Sequence, residues 1–177
     1  MRHALKYRTW TTLPHAVIRR HRTDLIWLAA RHAIYVAFRS SPPPPGELVG
    51  LGSDPGEALH IRRTFRGRRW TAVERTAPRT AGWALAWLTP AGRRHYLPLW
   101  LVAALHDHTP RGSAIFHVCR IAEPAQHAEL ALYSPNERAA VAAVLRWVCS
   151  DDRGLAEDAM RALPAWRGDI VSRRRDP

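Results

Sequence analysis

Lysine is almost absent from this chain and cysteine is scarce. Lys6 is the single lysine among 27 basic residues, and Cys119 and Cys149 are the only cysteines in 177 residues. Two cysteines exclude a disulfide-stapled scaffold, and neither belongs to a Cys-x-x-Cys pair of the kind that holds zinc or a redox dithiol. Both have an apolar neighbour, Val118 and Val148, and are expected to be buried, inert thiols. The sequence also lacks a glycine-rich phosphate loop and a His-Glu-x-x-His helix, and Ser113 in Arg111-Gly112-Ser113-Ala114 lacks the second glycine of a nucleophile elbow. These absences remove the common nucleotide, metalloprotease and serine-hydrolase signatures. No cofactor is implied, and no small-molecule substrate is evident.

Acidic residues are few as well. Against 27 Lys+Arg stand 15 Asp+Glu, a net charge of +12. The excess is local: residues 1–80 hold 15 of the cations and 5 of the acids, a balance of +10, and the rest of the chain carries +2. Charge asymmetry of this kind points to an acidic partner, to nucleic acid or to an anionic membrane surface. The preference for arginine over lysine is what GC-rich coding produces by itself, so it carries little weight for phosphate recognition.

No acid precedes Asp24, after which an apolar run extends from Leu25 to Phe38. A basic start followed by an apolar stretch imitates a secretory signal, but Arg31 and His32 interrupt the stretch and no small-x-small cleavage site follows. As a helix, the 14 residues of this run rise about 21 Å, short of the roughly 30 Å of membrane hydrocarbon. A helix capped at Thr23 or Asp24 and packed on the rest of the chain is the expectation, with a membrane surface the less favoured place for it and the cytoplasm the expected compartment. Pro42 to Pro45 then form a stiff spacer. It divides a basic extension, 1–45, from a core domain, 46–152, which is followed by a helix and basic tail, 153–177.

Within the core, cap chemistry marks helix starts. Asp54-Pro55-Gly56-Glu57 opens a helix with Ala58, Ile61 and Phe65 on one face and Gly67 as its stop. Trp83 and Trp87, four apart, share one face of a helix and are assigned to the core. Thr89-Pro90 caps the next turn, and Tyr96 to Leu105 reads as a buried helix with Pro98 near its start. Ser134-Pro135-Asn136-Glu137 has serine, proline and glutamate at the three positions a capping box requires, ahead of Val141, Val144, Leu145 and Val148. A last helix is expected from Leu155 to Leu163, ended by Pro164. The fold class is therefore mainly α, a compact bundle of about four to five short helices with a basic N-terminal extension.

Two of these phrases, Leu88-Thr89-Pro90-Ala91-Gly92-Arg93-Arg94-His95-Tyr96-Leu97-Pro98-Leu99 and Leu132-Tyr133-Ser134-Pro135-Asn136-Glu137-Arg138-Ala139-Ala140-Val141, resemble a family of small bacterial proteins of unknown function. The resemblance covers residues 57–150. His95 and Leu99 depart from the family's tyrosine and alanine, Thr64 stands for an alanine before Phe65, and Arg75 and Arg79 lie where an acidic stretch is expected. The resemblance implies a mainly helical fold and brings no reaction, cofactor or partner.

Two constellations could carry function. Arg62, Arg63, Arg66, Arg68 and Arg69 form the densest positive cluster, and with Trp70 beside them they are a candidate nucleic-acid surface using phosphate contacts and stacking. His106 and His108, flanking Asp107, are candidate ligands of a metal-dependent enzyme, since histidines two apart can chelate zinc from an extended segment. Caps and packing account for the remaining motifs. Trp10, Trp70 and Trp166 fall outside the apolar patterns and read as interface anchors. A non-catalytic domain that binds a protein partner is the expected role.

Overall fold

Asp54, Thr89 and Ser134 all open helices, in a computed structural model that describes residues 15–50, 54–73 and 77–168, with side chains described from residue 24 onward. The helices are α1 (His15–Phe38), α2 (Pro55–Phe65), α3 (Ala77–Thr80), α4 (Ala84–Trp87), α5 (Pro90–His106), α6 (His108–Ile121), α7 (His127–Leu130), α8 (Pro135–Asp151) and α9 (Ala156–Arg167). Three-residue 3-10 turns lie at Trp70–Ala72 and Pro124–Gln126. Among the described residues there is no strand, only an isolated antiparallel bridge between Val49 and Leu88.

The mainly α class holds, but a bundle of four to five short helices does not: the described residues form nine. Two of the additional helices, α3 and α7, have four residues each and are too short to show a hydrophobic period. The other addition is α6. Its N-cap, Asp107, accepts the Thr109 N–H at 2.9 Å, Pro110 sits in its first turn, and Ala114, Ile115, Val118 and Ile121 line its buried face. Those signals are present in the sequence, where Pro110 reads as a terminator rather than a first-turn residue.

Helix α1 extends the sequence expectation in the other direction. It has 24 residues and runs through Thr23 and Asp24, because nothing between His15 and Phe38 breaks a helix. Ala30, Ile34 and Phe38, spaced four apart, are fully buried. The helix lies on α8, the most extensive helix contact among the described residues, and also touches α5. No described helix is long and apolar enough to cross a membrane.

The other long helices complete the core. Helix α5 joins the Thr89 cap and the Tyr96–Leu105 run into 17 residues, with Pro98 inside and the Arg94 carbonyl thereby deprived of its helical donor. Helix α9 passes Pro164 and ends at Gly168, whose φ of +78° suits glycine at a C-terminal cap.

Indole N–H groups fasten these helices to one another. Trp27 of α1 donates to the Leu105 carbonyl at 2.8 Å, Trp70 to that of Phe38 at 3.0 Å, and Trp166 of α9 to that of Val118 at 3.0 Å. Trp70 and Trp166 are therefore core residues, and the reading of them as interface anchors is corrected; Trp10 lies outside the described residues. Trp83, assigned to a buried face, is instead 38% exposed beside His60, because α4 is one turn long and begins after it.

If α1 belongs to the core, shortening Ile34 to Ala removes buried volume on the α8 side and costs about 2–5 kcal/mol. The exposed substitution Leu25→Ala stays within about 0.5 kcal/mol. Urea unfolding of the two variants measures the contrast, and equal small losses would place α1 outside the cooperative core.

Candidate functional site

The first turns of α5 and α8 meet at one edge of the molecule, so the two sequence phrases become neighbours in space. Four successive side chains of α5, Arg93 to Tyr96, fan out from that point. The Arg93 guanidinium donates to both carboxylate oxygens of Glu129 on α7, at 2.6 and 3.1 Å, and to the Leu85 carbonyl at 2.8 Å. Arg94 grips Glu137 of α8 through Nε and a terminal nitrogen at 3.0–3.3 Å. The same Glu137 carboxylate accepts the Ser134 N–H at 2.7 Å, while the Ser134 hydroxyl accepts the Glu137 N–H at 3.3 Å. One carboxylate thus completes the capping box of α8 and the ion pair to α5.

His95 is buried between two partners. Its Nε2 lies 3.3 Å from the Arg68 carbonyl and its Nδ1 lies 3.3 Å from the Ser41 hydroxyl. A carbonyl only accepts, so Nε2 carries the proton and Nδ1 receives the serine O–H. Tyr96 donates its hydroxyl to the carbonyls of Phe65 and Arg68, the latter at 2.8 Å. Burial pushes its pKa up to about 12.

A cleft of about 540 Å³ opens beside this turn, with Arg94, His95 and Glu137 in its floor and Ser41 and the Pro42 to Pro45 tract along one wall. Its ionisable groups are already engaged. Glu137, 2% exposed, takes its hydrogen bonds from Arg94 and Ser134, and His95 is held by Ser41 and Arg68. The cleft is built from structural contacts.

The predicted arginine cluster divides. Arg62 pairs with Glu47 at 3.2 Å, whereas Arg63, Arg66, Arg68 and Arg69 are exposed and form no ion pair among the described residues. Trp70 is buried against Phe38 and Tyr35, so its ring faces the core rather than a ligand. Arg75, noted beside Arg79, lies outside the described residues.

The predicted histidine pair is split between two helices. His106 ends α5, edge-on to Trp27 at 5.0 Å between ring centres, and His108 starts α6 with Nδ1 3.0 Å from an Arg111 nitrogen. Asp107 between them is spent as the α6 cap. Among the described residues, no group of three or more His, Cys, Asp or Glu side chains is placed to hold a metal ion.

Sequence reasoning missed Arg111, only 4% exposed, which joins three helices. Its Nε donates to the Ala104 carbonyl of α5, Nη1 reaches Asp151 and Asp152 at 3.2 and 3.3 Å, and its guanidinium lies 4.5 Å over the Trp147 ring. A Pro-Arg-Gly-Ser context reads as a loop and hides it. The thiols are free, and burial raises Cys119 to about 11 and Cys149 in the same direction, which keeps both protonated.

Burial also governs two histidines. Desolvation, helped by Arg93 and Arg120, lowers His117 from 6.5 to about 4, and desolvation lowers His95 in the same sense. The unfolded chain therefore binds more protons than the folded one between those values. Stability is fully present above pH 6.5 and falls as pH drops toward about 4. Urea midpoints at about pH 7 and about pH 5 read this loss, which shrinks in His117→Leu; an unchanged slope in that variant contradicts the assignment.

Residues 53–169 match the family of unknown function DUF6714. The matched span contains α2 to α9 and both phrases, extends past the residues 57–150 of the sequence resemblance, and leaves α1 outside. No curated protein and no solved structure matches the chain. With about two thirds of its length inside the match, the chain belongs to the DUF6714 family.

Proposed function

We propose that this protein is a non-catalytic interaction domain whose partner is an acidic, amphipathic segment of another protein, docked along the outer face of α1. One observation carries the reading: Leu25, Leu28 and Val36 are all more than half exposed and, at these spacings, share one side of α1. That stripe leads toward the exposed Arg66, Arg68 and Arg69, because Trp70 pins the arginine segment to the Phe38 end of the helix. An apolar strip ending in exposed cations is complementary to a helix with an apolar face and acidic flanks. The chain's +12 adds long-range attraction for such a segment. The two unpaired thiols suit a reducing compartment, in keeping with a cytoplasmic location.

The same arginines suit nucleic-acid phosphates, and nuclease treatment separates the two readings. The tagged full-length chain is used to capture partners from extract of its native cells, with and without nuclease, alongside Leu28→Glu and the double variant Arg66→Glu, Arg69→Glu. An acidic protein retained after nuclease, and lost with either variant, is the expected result. Recovery of nucleic acid alone, or retention of the protein by both variants, contradicts the proposal.

A further inference from the structure

A second groove, of about 300 Å³, lies between α1 and α5, away from the α5–α8 junction. Leu99, Val102 and Pro110 give it apolar walls, and Arg31, Tyr35 and Arg79 stand on its other sides. We infer that it binds a small organic monocarboxylate with an apolar body, the carboxylate on Arg31.

The arginines withdrawn from solvent show why. Among the described residues, Arg62, Arg93, Arg94 and Arg111 pair with carboxylates and Arg138 donates to the Tyr133 carbonyl. Arg31 has no such acceptor, and its Nε is buried without a hydrogen-bond partner. Burying a guanidinium donor and leaving it unpaired costs free energy that an arriving acceptor recovers.

The group is also held in place. Its central carbon lies 5.8 Å from the Trp27 ring centre and 5.5 Å from that of Tyr35, within cation–π range. Trp27 is itself fixed to the Leu105 carbonyl, and Tyr35 rests 5.2 Å from Trp70. A fork positioned before the ligand arrives loses little conformational freedom on binding.

Charge and polarity select the ligand. Arg79 adds a second cation, and the one carboxylate lining the groove, Asp107, is committed to the Thr109 N–H. Inorganic phosphate has no apolar surface to set against Leu99, Val102 and Pro110, whereas cations facing apolar walls match a carboxylate with a hydrocarbon body.

Benzoate, phenylacetate and hexanoate, each beside its primary amide, and inorganic phosphate serve as probes of the full chain. Shift perturbation of the backbone amides and of the indole N–H of Trp27, the tryptophan nearest Arg31, follows binding. We expect at least one acid to bind with a Kd below about 1 mM and its amide at least about tenfold more weakly. Arg31→Met weakens the acid by about tenfold or more without changing the circular dichroism spectrum. Val102→Trp, which fills the groove and leaves Arg31 in place, also abolishes binding. Should Arg31→Met fail to fold, Arg79→Met, at an exposed side chain, is expected to weaken the acid severalfold. The proposal is overturned if no acid binds with a Kd below about 1 mM, if amides or phosphate bind as well as the acids, or if the folded variants bind like the unmodified chain.

Discussion

Glu129 and Glu137 are 5% and 2% exposed, and a carboxylate so far from water requires a cation with matching geometry. Consecutive arginines on the first turn of α5 supply two. Because a guanidinium presents its donors as a planar fork, each pair fixes the orientation of its partner as well as its distance. Arg93 thereby positions α7 and the end of α4, and Arg94 positions α8. His95 and Tyr96, next in sequence, tie the same turn to Ser41 after α1 and to the carbonyls that end α2. The desolvation cost of such pairs is comparable to their attraction, so their contribution is to alignment more than to net stability. Hydrophobic burial by α1, α5, α8 and α9 supplies the stability, and this turn determines how the helices are set against one another.

This division explains where function is to be sought. Arg94, His95 and Glu137, the ionisable residues that the two phrases bring to the adjacent cleft, are engaged in the junction. Several unsatisfied features gather on or beside α1: its apolar outer stripe, the exposed arginines at its C-terminal end and Arg31, whose buried Nε has no hydrogen-bond partner, between two rings. Helix α1 falls outside the residues that match the family, yet it makes the largest contact with α8. In this chain the shared helical core is covered by a helix that also carries the surfaces proposed for binding.

Local chemistry was legible in the sequence and distant pairing was not. The caps at Asp54, Thr89 and Ser134 stood out because donor and acceptor lie within three residues. Arg93 and Glu129 are 36 residues apart and Arg94 and Glu137 are 43 apart, and nothing in either neighbourhood marks them as partners. Proline misled twice: Pro110 sits in the first turn of α6 and Pro164 lies inside α9, while both read as terminators. Tryptophan position was misjudged because a single indole N–H bonded to a carbonyl can hold a ring in the core without any apolar periodicity around it, as at Trp70. In the candidate site, the arginine cluster and the histidine pair were visible as residue types; the burial of Trp70 and the separation of His106 from His108 required the fold.

A double-mutant cycle on Arg94 and Glu137, read by urea unfolding, tests the central claim most directly. Arg94→Met strands a buried carboxylate and costs about 3–5 kcal/mol, whereas Glu137→Met opens the capping box but leaves a guanidinium that water reaches, and costs about 1–3 kcal/mol. Replacing both together removes the two charges at once, and the double variant is predicted to lose less than the sum of the singles by at least about 2 kcal/mol. Additive losses, with no coupling beyond about 0.5 kcal/mol, would contradict the account that this pair aligns α5 with α8.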